Sequence, residues 1–193
     1  MIVTIDGPAG SGKSTTARRA AEALDYVYLD TGAMYRAVAL GFLRAGVAPT
    51  RDGAAAVLPS LHVGVRYDGP QMRVFLEDEE VTSQIRSPEV GQTVSDVSTL
   101  APVREYMVEE QRRIGRAQDE VHGGVVLDGR DTGTVVFPEA DLKIFMVADL
   151  DERARRRQQE YAESGDERSL DEVRAEIAER DRQDRHRDLA PLR

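Results

Sequence analysis

Hydrophobic and polar positions follow two different periods along this chain, and the switches between them outline its organisation. Ile2–Asp6 is a short apolar run closed by an acid. After a glycine-rich stretch, Ala17, Ala20, Ala21 and Leu24 recur at helical spacing through residues 14–24. Residues 26–30 predict a second strand, and residues 34–43 a helix that Gly46 and Pro49 terminate. Strand and helix in alternation predict an α/β chain with a parallel sheet wrapped by helices.

Between residues 61 and 81 the period falls to two. Val63, Val65 and Tyr67 alternate, Asp68-Gly69 turns the chain, and Met72, Val74 and Leu76 alternate again, which predicts a β-hairpin inserted into the α/β pattern. Ser87-Pro88 opens a helix carrying Val90, Val94 and Val97, and Pro102 opens another carrying Val103, Met107 and Ile114. Residues 125–128 and 142–149 have the length and composition of buried strands, and each ends in an aspartate. Asp149 with Glu152 forms an acidic variant of the capping box for an arginine-rich helix that stops near Gly165. Ser169 with Glu172 caps a last helix through Asp188, and the polar residues 164–168 connect the two.

The chain of 193 residues is long enough for one core and an appended lobe. No apolar run approaches the roughly 18–20 residues of a membrane helix, and the N-terminus has no basic region followed by an apolar stretch, so no membrane role and a cytoplasmic location are expected. The absence of cysteine removes disulfides, thiolate metal sites and cysteine nucleophiles. A formal charge of −9 argues against a nucleic-acid polymer as partner, so any anion must be held locally. All but two of the 26 basic residues are arginine, which makes Lys13 conspicuous.

Lys13 lies in Gly7-Pro8-Ala9-Gly10-Ser11-Gly12-Lys13-Ser14, a full G-x-x-x-x-G-K-[ST] pattern that follows a strand and opens a helix, with Thr15 continuing it. Glycines let backbone N–H groups converge on phosphate oxygens, and the helix N-terminus adds partial positive charge. Lys13 reaches the β/γ-phosphates, and the Ser14 hydroxyl can ligate Mg²⁺ directly. The spacing therefore predicts a purine-triphosphate site over Gly7 to Thr15, the ATP site if the chain is a small-molecule kinase. Switch proteins, motors and small-molecule kinases share such a cradle. The chain has no asparagine, hence no Asn-Lys-x-Asp guanine reader, and it lacks a motor's basic track. Small-molecule phosphoryl transfer leads.

Several further blocks resemble the bacterial cytidylate kinases of the nucleoside-monophosphate kinase family, in the long form with an inserted monophosphate-binding lobe. They are Ile5-Asp6-Gly7-Pro8, Leu29-Asp30-Thr31-Gly32-Ala33-Met34-Tyr35-Arg36, Asp128-Gly129-Arg130-Asp131-Thr132-Gly133-Thr134-Val135-Val136-Phe137-Pro138, and the stretch from Arg180-Asp181-Arg182 to Ala190-Pro191-Leu192. The resemblance implies one P-loop kinase domain over residues 1–193, with core segments 1–33, 103–150 and 169–193, an insertion at 34–102 and a lid at 151–168. It implies phosphorylation of CMP and dCMP by Mg-ATP, by a protein expected to be a monomer. Relatives of this kind continue past Leu192 into a further core strand and helix, so four strands of an expected five are legible here.

By the same resemblance Arg36 and Arg130 would clamp the acceptor phosphate, with Thr31 and Tyr35 lining that pocket. Ser95 and Asp131 would meet the cytosine amino group, and Arg104 and Arg187 would donate to the ring. Arg180 and Asp184 would contact the ribose. They share a helix face with Arg187 at i, i+4 and i+7, although spacing alone favours an exposed i,i+4 salt bridge for the first two. Arg153 and Arg157, on one face of the lid helix, would fold over the transferring phosphoryl group, although a solvated charged helix has the same pattern. Asp128, ending a strand that faces the cradle, would hold Mg²⁺ through water. A related kinase acting on UMP or another small acceptor is a second reading. A nucleotide-dependent interaction protein that uses the 61–81 hairpin as its partner surface is a third.

Overall fold

The computed structural model describes residues 1–163, 165–187 and 189–192. In chain order its elements are β1 (Ile2–Asp6), α1 (Lys13–Leu24), β2 (Val27–Asp30), α2 (Thr31–Ala45), α3 (Arg51–Val57), β3 (Val63–Asp68), β4 (Gln71–Leu76), β5 (Glu79–Glu80), α4 (Pro88–Val97), α5 (Ala101–His122), β6 (Val125–Gly129), β7 (Leu142–Phe145), α6 (Leu150–Glu163) and α7 (Leu170–His186). Four parallel strands form the main sheet in the order β2-β6-β1-β7, and β3-β4-β5 form a separate antiparallel sheet. The α/β architecture, a parallel sheet flanked by helices, is the one the periodicity predicts, and the glycine-rich motif makes it P-loop type.

Each face of the main sheet has its own packing. On one side Ala17 and Ala21 of α1 lie against Val3, Ile5, Tyr28 and Val126, the small alanines letting the helix approach closely. On the other side α2 and α5 bring Phe42 and Met107 onto Leu29 and Leu127. Both are wholly buried, each contributing about 2 kcal/mol of transfer free energy. Val63, Val74 and Leu76 of the hairpin join that same core. The hairpin thus buries Val63, Val74 and Leu76, while Val65, Tyr67 and Met72 lie partly buried against the same core. Val173 and Ile177 of α7 pack on Ala154 of α6 in a third, smaller cluster.

Parallel register gathers the strand ends. Asp30 and Ile5 both lie opposite Asp128, and Asp6 lies opposite Gly129, so carboxylates line the edge from which the glycine-rich loop and α2 depart. Open α/β sheets bind ligands at this carboxyl edge. The loop itself tolerates no alternative. A Cβ on Gly7 would meet the Met146 carbonyl oxygen at 2.4 Å, and Gly12 has φ +87°, in the left-handed region that disfavours side chains.

Some expectations from sequence are corrected. The apolar run at 142–149 is a strand only to Phe145, and it is not buried: Leu142, Ile144 and Phe145 are 38–46% exposed. Among the described residues β7 pairs with β1 alone and lies last in the sheet order, which an apolar run cannot reveal. Helix α2 begins at Thr31, three residues before residue 34, because the Asp30 side chain accepts from the Ala33 N–H at 2.8 Å and caps it. Helix α3 and the π-type turn Thr132–Val136 were not expected. The Ser169–Glu172 capping box is present, α7 ends at His186, and Asp188 lies outside the described residues. No helix among the described residues is long and apolar enough to cross a membrane.

Candidate active site

A cleft at the carboxyl edge is lined by Ala9, Gly10, Lys13 and Ser14 of the phosphate loop, by α2, by the segment after β6, and by α7. Eight cationic and five acidic side chains line it, so the cleft is locally positive in an acidic protein. Local focusing of this sort attracts anions despite the net charge.

Three of those cations have no carboxylate within ion-pair distance among the described residues. Lys13 donates from Nζ to the Pro8 carbonyl at 3.2 Å, Arg36 donates to the Ile85 carbonyl at 3.3 Å, and Arg180 faces the cleft unpaired. Burial, then the charge of Arg130, pulls the Lys13 ammonium down to about 7. Burial and Arg130 likewise bring Arg180 down to about 10, and burial with the nearby Arg86 and Arg157 lowers Arg36. Cations left in this state are stabilised by an anionic ligand.

At the far end of the cleft the charges are paired into a ladder. Arg130 Nε donates to Asp184 Oδ2 at 2.6 Å, and Arg187 lies 3.7 Å from Asp184 and 3.4 Å from Asp131. Arg104 Nη2 donates to Asp131 Oδ2 at 2.5 Å. Burial raises the Asp131 carboxyl against the pull of Arg104 and Arg187. Asp184 resists the same penalty of burial, and Arg130 holds it below its ordinary range. Beside them Tyr35 is pushed up to about 12 by burial, so its hydroxyl stays protonated. Arg104 Nε is buried with no hydrogen-bond acceptor, and Arg187 Nη2 has only its ion-pair contact with Asp131. Buried donors of this kind ask for a partner.

Between the two ends lies a small oxygen cluster. Ser14 Oγ donates to Asp128 Oδ2 and Tyr28 Oη to Asp128 Oδ1, both at 2.7 Å, while Thr31 Oγ1 donates to the Asp128 carbonyl at 2.6 Å. Burial and the neighbouring Asp30 raise Asp128 above the usual carboxylate range, and burial with the same two acids keeps the Tyr28 phenol protonated far beyond neutrality. Among the described residues no group of three or more His, Cys, Asp or Glu could by itself hold a metal. A hydroxyl and a carboxylate beside a phosphate loop nevertheless fit Mg²⁺, which keeps several waters and takes the remaining oxygens from phosphates.

The sequence-predicted residues divide accordingly. Lys13, Ser14, Thr31, Tyr35, Arg36, Arg104, Asp128, Arg130, Asp131, Arg157, Arg180, Asp184 and Arg187 all line the one cleft. Ser95 does not. Val94 and Ser98 do, and Ser98 Oγ donates to the Ser95 carbonyl. Arg153 is also outside the cleft. It is 5% exposed, its Nη1 lies 2.7 Å from Asp181 and donates to the Ala9 carbonyl at 3.0 Å, and its Nε donates to Ala148, so it braces the phosphate loop from behind. Helical spacing put Arg153 and Arg157 on one face but could not say that a neighbouring acid claims the first.

Asp6 is a further residue of the site, outside those the sequence predicts. Its carboxylate accepts from Thr132 N–H, Thr132 Oγ1 and Gly133 N–H at 2.8–2.9 Å, and so clamps the turn that follows Asp131 onto the strand that enters the phosphate loop. The row of aspartates at strand ends was the available signal. Arg86, 3.5 Å from Asp30, also lines the cleft and was missed, because it sits in a short turn without periodic pattern.

A family model of cytidylate kinases matches residues 3–193. The chain belongs to the cytidylate kinase family. It is 75% identical over 193 residues to a cytidylate kinase of Salinibacter ruber, covering all of this chain and 85% of that protein. It is 45% identical over 194 residues to one from Geobacter sp. strain M21, of which it covers 81%. A bifunctional pantoate ligase/cytidylate kinase of Synechococcus is 46% identical over 198 residues, which make up 35% of that longer protein. As a member of the cytidylate kinase family the protein is a kinase.

Proposed function

We propose that the protein transfers the γ-phosphoryl group of Mg-ATP to a 5′-phosphate oxygen of CMP or dCMP, giving ADP and the nucleoside diphosphate. The observation that carries this reading is the contrast within one cleft: Lys13, Arg36 and Arg180 lack carboxylate partners at the phosphate end, and Asp131 sits between Arg104 and Arg187 at the other. Cytosine offers an amino donor beside two acceptors, so a carboxylate flanked by guanidinium donors matches it, with Asp131 accepting from the amino group and Arg104 and Arg187 donating to the ring. Uracil inverts that pattern and would leave buried groups unpaired.

On this reading the phosphate loop holds the donor's phosphates, and Arg36 and Arg130 hold the acceptor phosphate, with Thr31 and Tyr35 beside it. Arg180 and Asp184 meet the ribose. Ser14 directly and Asp128 through water would hold Mg²⁺, which neutralises charge on the β- and γ-oxygens when bound. An ionised acceptor phosphate is already a nucleophile, so no general base is required. Lys13, Arg130 and Arg157 have to align the two phosphates and cancel charge that builds between them. Closure of the 151–168 lid and the 34–102 insertion excludes water, which keeps ATP from being hydrolysed without acceptor.

The test is ADP release in a coupled assay across CMP, dCMP, UMP, AMP and shikimate, repeated with Arg187→Met. Fast turnover with the two cytidylates, slow release without acceptor, and a loss on the order of 100-fold in cytidylate kcat/KM for the variant with ATP binding unchanged are expected. Equal ADP release with and without CMP, or faster turnover with another acceptor, would overturn the reading.

A further inference from the structure

Asp128 is gripped on both carboxylate oxygens, and only one of the two grips takes part in the chemistry above. Ser14 Oγ donates to Oδ2, but in that reading its oxygen also faces Mg²⁺. Tyr28 Oη donates to Oδ1 at 2.7 Å from β2, and Tyr28 is 5% exposed and absent from the cleft lining. Its register explains the geometry. Tyr28 lies opposite Val126 and Asp30 opposite Asp128, so the period of two brings Tyr28, Val126, Asp30 and Asp128 to one face of the sheet. Asp30 is thus a like-charged cross-strand neighbour that pushes on Asp128.

The tyrosine itself cannot swing away. Its ring packs among Val3, Ile5, Ala17, Ala21 and Val126, the Arg18 guanidinium lies 5.5 Å from the ring centroid, and its backbone carbonyl accepts from Tyr67 Oη at 3.1 Å. We propose that Tyr28 is a positioning residue that fixes the plane of the Asp128 carboxylate, so that Oδ2 stays turned toward Ser14 and the metal. Groups that hydrogen-bond to a metal-facing carboxylate set its orientation and so the affinity of the site. This inference rests on the assignment of Asp128 to Mg²⁺, and the experiment separates the two.

Mn²⁺, a spectroscopic substitute for Mg²⁺, is titrated by electron paramagnetic resonance into the full chain with a non-hydrolysable ATP analogue. The comparison is between wild type, Tyr28→Phe, Tyr28→Leu and Asp128→Asn, with CMP affinity measured by calorimetry as the control for folding. Tyr28→Phe is expected to weaken Mn²⁺ binding by about tenfold with CMP affinity unchanged, and Asp128→Asn to weaken it further. Wild-type Mn²⁺ affinity in Tyr28→Phe with a weakened Asp128→Asn would overturn the role of Tyr28 alone. Wild-type affinity in both would overturn the metal assignment and the inference with it. Parallel loss of Mn²⁺ and CMP affinity in both tyrosine variants would make Tyr28 structural only, and also overturn the inference.

Discussion

Arg130 Nε donates to Asp184 Oδ2 at 2.6 Å, joining the end of β6 to helix α7 across the mouth of the cleft. Both side chains are less than a fifth exposed, so each is the other's principal compensation. Removing the acid leaves Arg130 and Arg187 facing each other without it. Breaking a buried pair from one side is far more costly than replacing both members. Asp184→Leu should therefore lower stability by about 3 kcal/mol, while adding Arg130→Met to it should recover most of the loss. Urea unfolding of the wild type, the two single variants and the double variant, read as a double-mutant cycle, checks this, and additive losses would contradict it.

The position of Lys13 near neutrality makes donor binding proton-linked. In the free protein burial holds the ammonium at about 7, against 10.5 in the unfolded chain. Between those values the unfolded chain carries the extra proton, so the contribution of Lys13 makes stability rise as pH increases through that window. A bound triphosphate reverses the preference by favouring the charged form, so ATP binding at about pH 8 should take up a proton. Calorimetry in two buffers of different ionisation enthalpy measures the uptake. It should vanish in Lys13→Met, and equal heats in both buffers for the wild type would refute the linkage.

Arg153 and Arg157 share a helix face yet should behave differently. Arg153 is buried against Asp181 and the Ala9 carbonyl, whereas Arg157 lines the cleft and pairs with the exposed Glu160. Arg153→Met should cost about 3 kcal/mol by leaving Asp181 uncompensated. Arg157→Met should change stability by less than about 0.5 kcal/mol and instead lower kcat on the order of 100-fold. Thermal unfolding alongside steady-state kinetics separates the two, and the reverse pattern would mean that Arg153 is the residue over the phosphates.

Much of the protein is legible without coordinates because the signals are local. The phosphate loop needs glycines, a lysine and a hydroxyl within eight positions, and both halves of the main sheet's core follow from runs and periods a few residues long. The same holds for the Ser169 capping box. What required the tertiary structure is whatever depends on which strand lies beside which. The order β2-β6-β1-β7 puts β7 last and leaves its apolar run exposed, sets Asp30 beside Asp128, and brings Tyr28 within reach of a carboxylate 100 residues away. Long-range ion pairs decided the fate of the arginines in the same way. Arg187 stays in the cleft beside Asp131, and Arg153 is drawn behind the loop by Asp181. Composition and spacing specify which groups are available, but a charge settles on whichever counter-charge the packed chain brings nearest, because an unpaired ion out of water costs more than the local preferences that sequence records.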